Sequence, residues 1–543
     1  MSGKKKIDQK PQKYSYQWAW WSLLIIILIT ALIRYHLLGV PLERDEGEYA
    51  YAGQLILQGI FPYAEAYNMK MPGIYAAYAL ILAIFGQTHI GIHLGLLFIN
   101  AATIILVFLL GRKVMNETAG AIAAAVFGFL SLSQKVQGFS ANTEHFVILA
   151  ALLGILLLLY AVEKEKWYLF FLSGFLLGLA FILKQHGLFF VLFGGFYLVF
   201  IHLRLKPFKL SDCFKECLLF FAGAVSPFLI VCLVMYLGGV FEKFWFWTFT
   251  YAREYASSTF SAADLSILKK RCFRIFITSA PVCILAGIGL SALFLNKEIR
   301  HKRFFLGGFF IFSFLSVFPG FYFRAHYFIF PLPSLALLCA AGIVSLMRFF
   351  PNAGSLIKKG IPVLLVLISA AYFLYQERGY LFVWSPTMVS RMTYGGNPFV
   401  ESIEIAKYIK ENSTKNDRIA VIGSEPQIYF YADRRSATGY IYTYALMERH
   451  NYALTMQKEM IKEIETNSPL FLVFVGIKTS WLMKRDSKTL IFDWFEQYIE
   501  DHYRRVGVVE IVSLDKTIYK WGEESIRHNP RSKHVVFVFK KRD

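Results

Sequence analysis

Apolar blocks long enough to cross a bilayer recur from Trp18 to about residue 376 and then stop. A helix needs about 20 apolar residues to span the hydrocarbon core, and a chain with many such runs has few alternatives to a helical membrane bundle. Eleven runs read as spans: 18–38, 90–111, 118–134, 145–162, 167–183, 187–203, 216–238, 274–295, 304–321, 327–348 and 360–377. The expected architecture is an all-α polytopic membrane domain over 18–380, preceded by a basic segment over 1–17 and followed by a soluble domain over 385–543.

The piece 73–86 is apolar but has only 14 residues, so it reads as an interfacial helix of the first outer loop. Charge supports that reading. With eleven spans, the cytoplasmic segments carry 20 Lys and Arg and the outer loops 10. Counting 73–86 as a crossing would invert most basic loops and break the positive-inside rule. Lys4, Lys5, Lys6, Lys10 and Lys13 precede a run too long for a signal peptide, which reads as a retained first span. The N-terminus is therefore expected in the cytoplasm and the C-terminal domain outside, in a bacterial inner membrane. The net charge of +20 fits these loops better than a nucleic-acid partner. One outer cluster resists the rule: Lys269, Lys270, Arg271 and Arg274, which reads either as a headgroup anchor or as a basic rim for an anionic lipid substrate.

The soluble part alternates helix and strand signals. Residues 401–411, 447–465 and 489–503 have helical spacing, while 418–424, 470–476 and 534–540 read as buried strands, which predicts a small α/β domain. All six cysteines lie between 213 and 339, so this domain has no disulfide framework.

The outer loops carry polar residues that connectors do not need. The first has Arg44, Asp45, Glu46, Glu48 and Lys70. The second has Glu144, the third Lys184-Gln185-His186, the fourth Arg253 and Glu254, the fifth Arg324, His326 and Tyr327. Ionisable groups at the ends of spans are costly and tend to face a cavity or a partner. A carboxylate there can take a proton from an acceptor, and cations can neutralise a phosphate leaving group.

The segment "RDEGEYAYAGQLILQGIFPY" followed by "KMPGIY" resembles the first outer loop of the GT-C membrane glycosyltransferases, of the protein O-mannosyltransferase and aminoarabinose (lipid A) transferase type, families 39 and 83. "GLAFILKQHGLFFVL" and "FRAHYFIFPLPSLALL" resemble later segments of the same proteins, in order, over residues 15–350. The turn here is Met71-Pro72-Gly73 where that group has a double proline. The resemblance implies an inverting transferase using a polyprenyl-phosphate sugar and a lipid, glycan or protein acceptor. It implies Asp45, Glu46 and Glu144 as catalytic, Lys184, Arg324, Tyr327 and Lys70 as binding the donor phosphate, and Arg253, Glu254 and His326 as lining the cavity. No cofactor is expected to be required. A divalent cation held by loop carboxylates, or by His89 and His93 on one helix face, is the minor alternative. A lipid-linked glycan flippase or transporter, or a glycan polymerase or ligase, is the rival function. No internal repeat of the kind transporters carry is visible.

Overall fold

The computed structural model describes residues 17–204, 207–256, 260–297, 299–347 and 354–542. The lysines expected as the cytoplasmic start lie outside the described residues. The first helix, α1 (Gln17–Leu37), leads into a loop that carries α2 (Arg44–Leu57) and α3 (Pro72–Phe85). Then follow α4 (His89–Val114), α5 (Glu117–Leu130), α6 (Thr143–Lys164), α7 (Trp167–Leu183), α8 (Leu188–Arg204) and α9 (Leu210–Leu237). A short stretch of α10 (Phe241–Trp245), a π-helical turn and α11 (Ala252–Ala256) precedes α12 (Ala262–Thr278), α13 (Ala280–Leu295), α14 (Arg303–Leu315), α15 (Leu332–Leu346) and α16 (Ser355–Gln376).

All eleven expected spans are largely helical. Among the described residues six helices have the length and hydropathy of a crossing, α8 and α15 each together with the 3-10 turn before it, and α5 and α7 are shorter apolar helices within the same bundle. One expectation fails. The run 274–295 is not one helix: α12 and α13 meet at Ser279 with a bend of 104°. Pro281 enters at the first turn of α13. A proline there lacks an N–H and would clash with a carbonyl of the preceding turn if the helix ran on.

Local signals explain the first loop. Glu43 caps α2 reciprocally with Glu46, leaving Asp45 in a first turn that favours acids. Pro72 starts α3. Gly73 sits against the end of α7, where an added Cβ would lie 2.4 Å from the Ile182 carbonyl oxygen. Any side chain at position 73 would meet that carbonyl, which accounts for the glycine in the turn.

The C-terminal domain contains α17 (Pro386–Tyr394), α18 (Glu401–Glu411), α19 (Gln427–Ala432), α20 (Tyr444–Met447), α21 (Ala453–Asn467) and α22 (Leu490–His502) around one mixed sheet. Its strands are β1 (Arg418–Ile422), β2 (Arg435–Ser436), β3 (Phe471–Val475), β4 (Tyr503–Ile511), β5 (Thr517–Trp521) and β6 (Val535–Lys541), in the order β2-β1-β3-β6-β4-β5. β1 runs parallel to β2 and β3; the pairs β3–β6, β6–β4 and β4–β5 are antiparallel.

This domain rests on the first loop. Tyr49, Tyr51, Ile74 and Tyr78 belong to the same apolar core as Ile405, Ile419, Tyr429 and Met460. Gly47 abuts Gln427, with room for no Cβ. Backbone N–H groups cross the seam: Leu42 donates to the Tyr431 hydroxyl at 2.9 Å, Ser436 to the Tyr51 hydroxyl at 2.7 Å, and Tyr67 to the Gly439 carbonyl at 2.7 Å. First loop and C-terminal domain therefore share one end of the bundle.

Candidate active site

Successive residues of an α-helix point about 100° apart, so the first turn of α2 sends its charges in different directions. Arg44 points into the C-terminal domain. It pairs with Glu425 and the Ser424 carbonyl, donates to the Tyr444 hydroxyl at 2.8 Å and to Asn397 Oδ1 at 3.1 Å. Asp45 points into a cavity of about 280 Å³ between the bundle and that domain. Its Oδ1 lies 3.4 Å from Lys70 Nζ and accepts from the Tyr442 hydroxyl at 3.2 Å.

Glu46 points the other way. It is fully buried, accepts from the Ala141 N–H at 2.6 Å and lies 3.0 Å from His93 Nε2. Glu46, expected as catalytic, does not line the cavity. The same bond occupies His93 Nε2, and its Nδ1 lies 2.9 Å from the Leu38 carbonyl oxygen. Glu48 is also buried, accepting from Tyr75 at 2.6 Å and Asn68 at 2.7 Å. It thereby holds the loop that presents Lys70.

Glu144 and Lys184 form a second buried pair behind the cavity wall. His326 Nδ1 lies 3.2 Å from the other Glu144 oxygen. The Lys184 ammonium stands 4.3 Å above the Tyr327 ring, and His186 meets that ring edge-on at 4.9 Å. Of this group, His326 and Tyr327 reach the cavity; Glu144 and Lys184 do not. Glu144, expected as catalytic, and Lys184, expected as a phosphate ligand, are here paired with each other rather than open to the cavity. Each neutralises the other and supports the wall from behind.

Arg324 and Tyr327, expected as phosphate ligands, line the cavity, and Arg271 joins them. Neither arginine has a carboxylate within ion-pair distance among the described residues. Arg253 and Glu254 do not line it. Their neighbours Trp247, Tyr251 and Tyr255 do, spaced four apart on one face of the π-helical turn and α11. That spacing is a signal the sequence reading passed over. Tyr442 and Tyr444 were also missed. Between them, Thr443 is buried and bonded through its N–H and hydroxyl to Ser424, both at 2.9 Å, which aims the flanking tyrosines at the cavity.

The electrostatics single out one carboxylate. Burial would raise Asp45, but Lys70, His326, Lys184 and Arg324 outweigh it and hold Asp45 down to about 2. Burial, reinforced by Asp45 and Glu46, pushes Glu43, the other lining carboxyl, well above the usual carboxylate range. Burial likewise disfavours the Lys70 ammonium, and Asp45 more than restores it. The cavity thus sets the ionised Asp45 beside the cations Lys70, Arg271 and Arg324. No group of three or more metal-ligating side chains is present among the described residues.

Comparison with known proteins agrees with this architecture. Residues 69–231 match the family described as dolichyl-phosphate-mannose-protein mannosyltransferase. The chain is similar in structure to ArnT from Cupriavidus metallidurans bound to undecaprenyl phosphate, with a TM-score of 0.59 at 14% identity over 97% of this chain and 98% of that one. The apo state of the same protein gives 0.57 at 13% identity, over 97% and 98% of the two chains. The apo oligosaccharyltransferase of Archaeoglobus fulgidus gives 0.51 at 12% identity, over 94% of this chain and 75% of that one. No curated protein matches in sequence. The fold is the GT-C membrane fold with a C-terminal sheet domain.

Proposed function

We propose that the protein is an inverting glycosyltransferase that moves a sugar from a polyprenyl-phosphate donor to a cell-envelope acceptor on the outer face of a bacterial inner membrane. One observation carries the proposal: the ionised Asp45 shares a small cavity at the end of an apolar bundle with Lys70, Arg271 and Arg324. A lipid phosphate reaches such a place from the bilayer. The two arginines and Lys70 take up the charge of the departing phosphate. Asp45 accepts the proton as the acceptor's nucleophile forms its bond to the anomeric carbon and the bond from that carbon to the phosphate oxygen breaks. Attack opposite the leaving group inverts the centre. Side chains carry the leaving group's charge in this scheme, so it requires no cofactor. The undecaprenyl phosphate bound by ArnT and the family match over 69–231 support the donor class.

The test is binding of undecaprenyl phosphate to the purified protein, followed by turnover of a panel of undecaprenyl-phosphate sugars. A charge-assisted bond to phosphate contributes about 1.5–3 kcal/mol, so Lys70→Ala and Arg324→Ala should each weaken binding roughly ten- to a hundredfold. No binding, or binding that ignores both substitutions, defeats the reading. Envelope lipids and glycoproteins from cells lacking the gene should lose one sugar; accumulation of a lipid-linked intermediate with every linkage intact would indicate a flippase instead.

A further inference from the structure

The basic cluster that resists the positive-inside rule is divided by α12. Arg271 turns inward and lines the cavity. Lys269, Lys270 and Arg274 face outward and are exposed, and none has a carboxylate partner among the described residues. They do not face outward alone. Phe273, Phe276 and Ile277 are exposed with them, 62%, 44% and 42% respectively. On a helical projection the six side chains fall on one broad face, with cations and large apolar groups interleaved. The opposite face, with Leu268, Cys272 and Ile275, packs on the bundle. The bend of 104° lays α12 across the axis of α13 rather than along it.

Such a face suits neither bulk solvent nor hydrocarbon. Water disfavours three large apolar side chains, and the bilayer core disfavours three cations. The boundary between headgroups and acyl chains accepts both, with the long basic side chains reaching up to phosphate. A surplus of three unpaired cations favours lipids with net negative charge. We propose that α12 docks on anionic phospholipid headgroups through Lys269, Lys270 and Arg274, with Phe273, Phe276 and Ile277 in the upper acyl region. Docking holds Arg271, on the other face, at headgroup depth, where a carrier lipid presents its phosphate; that last consequence rests on the function proposed above.

The full-length protein is reconstituted in nanodiscs of mixed phosphatidylglycerol and phosphatidylcholine, and the lipids retained on release are counted by native mass spectrometry. The wild type should retain phosphatidylglycerol preferentially, and the preference should decline as salt is raised. Replacing Lys269, Lys270 and Arg274 by Gln should lower phosphatidylglycerol retention several-fold per cation, whereas Lys269→Arg with Lys270→Arg should preserve it. Equal retention of the two lipids by the wild type overturns the proposal, as does a Gln variant that retains phosphatidylglycerol like the wild type. The salt series on the wild type decides the matter even if the Gln variant does not fold. Undecaprenyl phosphate binding, measured in detergent on the same preparations, tests the transferase reading separately.

Discussion

Asp45 and Glu46 are adjacent and chemically alike, yet one faces a cavity and the other a buried histidine. A sequence shows that two carboxylates follow a span; it does not show which side of the helix His93, 47 positions away, will occupy. Lys70, Arg324 and Tyr327 were legible because they stand at the outer ends of apolar runs in segments with a family likeness. Arg271 was legible only as part of a cluster, and Tyr442 not at all, since nothing in its neighbourhood distinguishes it from other tyrosines. The outcomes expected at this scale concern Asp45 and its hydrogen-bond donor Tyr442. Asp45→Asn should lose about 10²–10⁴-fold in kcat with little change in donor affinity, as expected for removal of a general base. Because its neighbouring cations hold free Asp45 down to about 2, kcat/KM should show no acid limb from it between about pH 4 and 7. Tyr442→Phe removes a donor to the carboxylate and should displace the acid limb of kcat, where bound phosphate occupies the cations, to higher pH. Rate–pH profiles of the purified variants check both.

The helices were legible as apolar runs because a span needs little beyond length and hydropathy. The break between α12 and α13 was hidden by the same rule, since hydropathy continues across Ser279 and Pro281. In the soluble domain β4 escaped notice because Arg505 and Gly507 interrupt its pattern at a register shift, and β5 because it is only half-buried. Two pairings between elements can be measured. Lys184, at the end of α7, and Glu144, in α6, are buried together, so Lys184→Met alone should destabilise by about 3–5 kcal/mol by stranding the acid, while the double change with Glu144→Gln should cost less. Thermal unfolding of the three variants gives that cycle. On α2, burial raises Glu48 to about 8. The folded state then keeps a proton that the unfolded chain releases near the ordinary value, so stability should fall as pH rises from about 4.5 to about 8. Glu48→Gln should flatten that decline in melting curves taken across the window.

Across the whole molecule, the shared core between first loop and C-terminal domain ties two distant parts of the chain to one side. Reporter fusions after Glu65 and His450 should therefore report the same compartment, and fusions after Lys164 and Lys302 the other; a split between the first two would contradict the shared end. The hydrogen bond from Tyr442 to Asp45 joins residues 397 positions apart. During synthesis the carboxylate of the cavity is made almost first and its roof almost last. Every intervening span must be threaded and the final soluble segment brought to the same end of the bundle before the cavity closes. A nascent or stalled chain would carry a bundle and a lipid-facing surface but no finished site, so activity itself certifies that membrane insertion ran to completion.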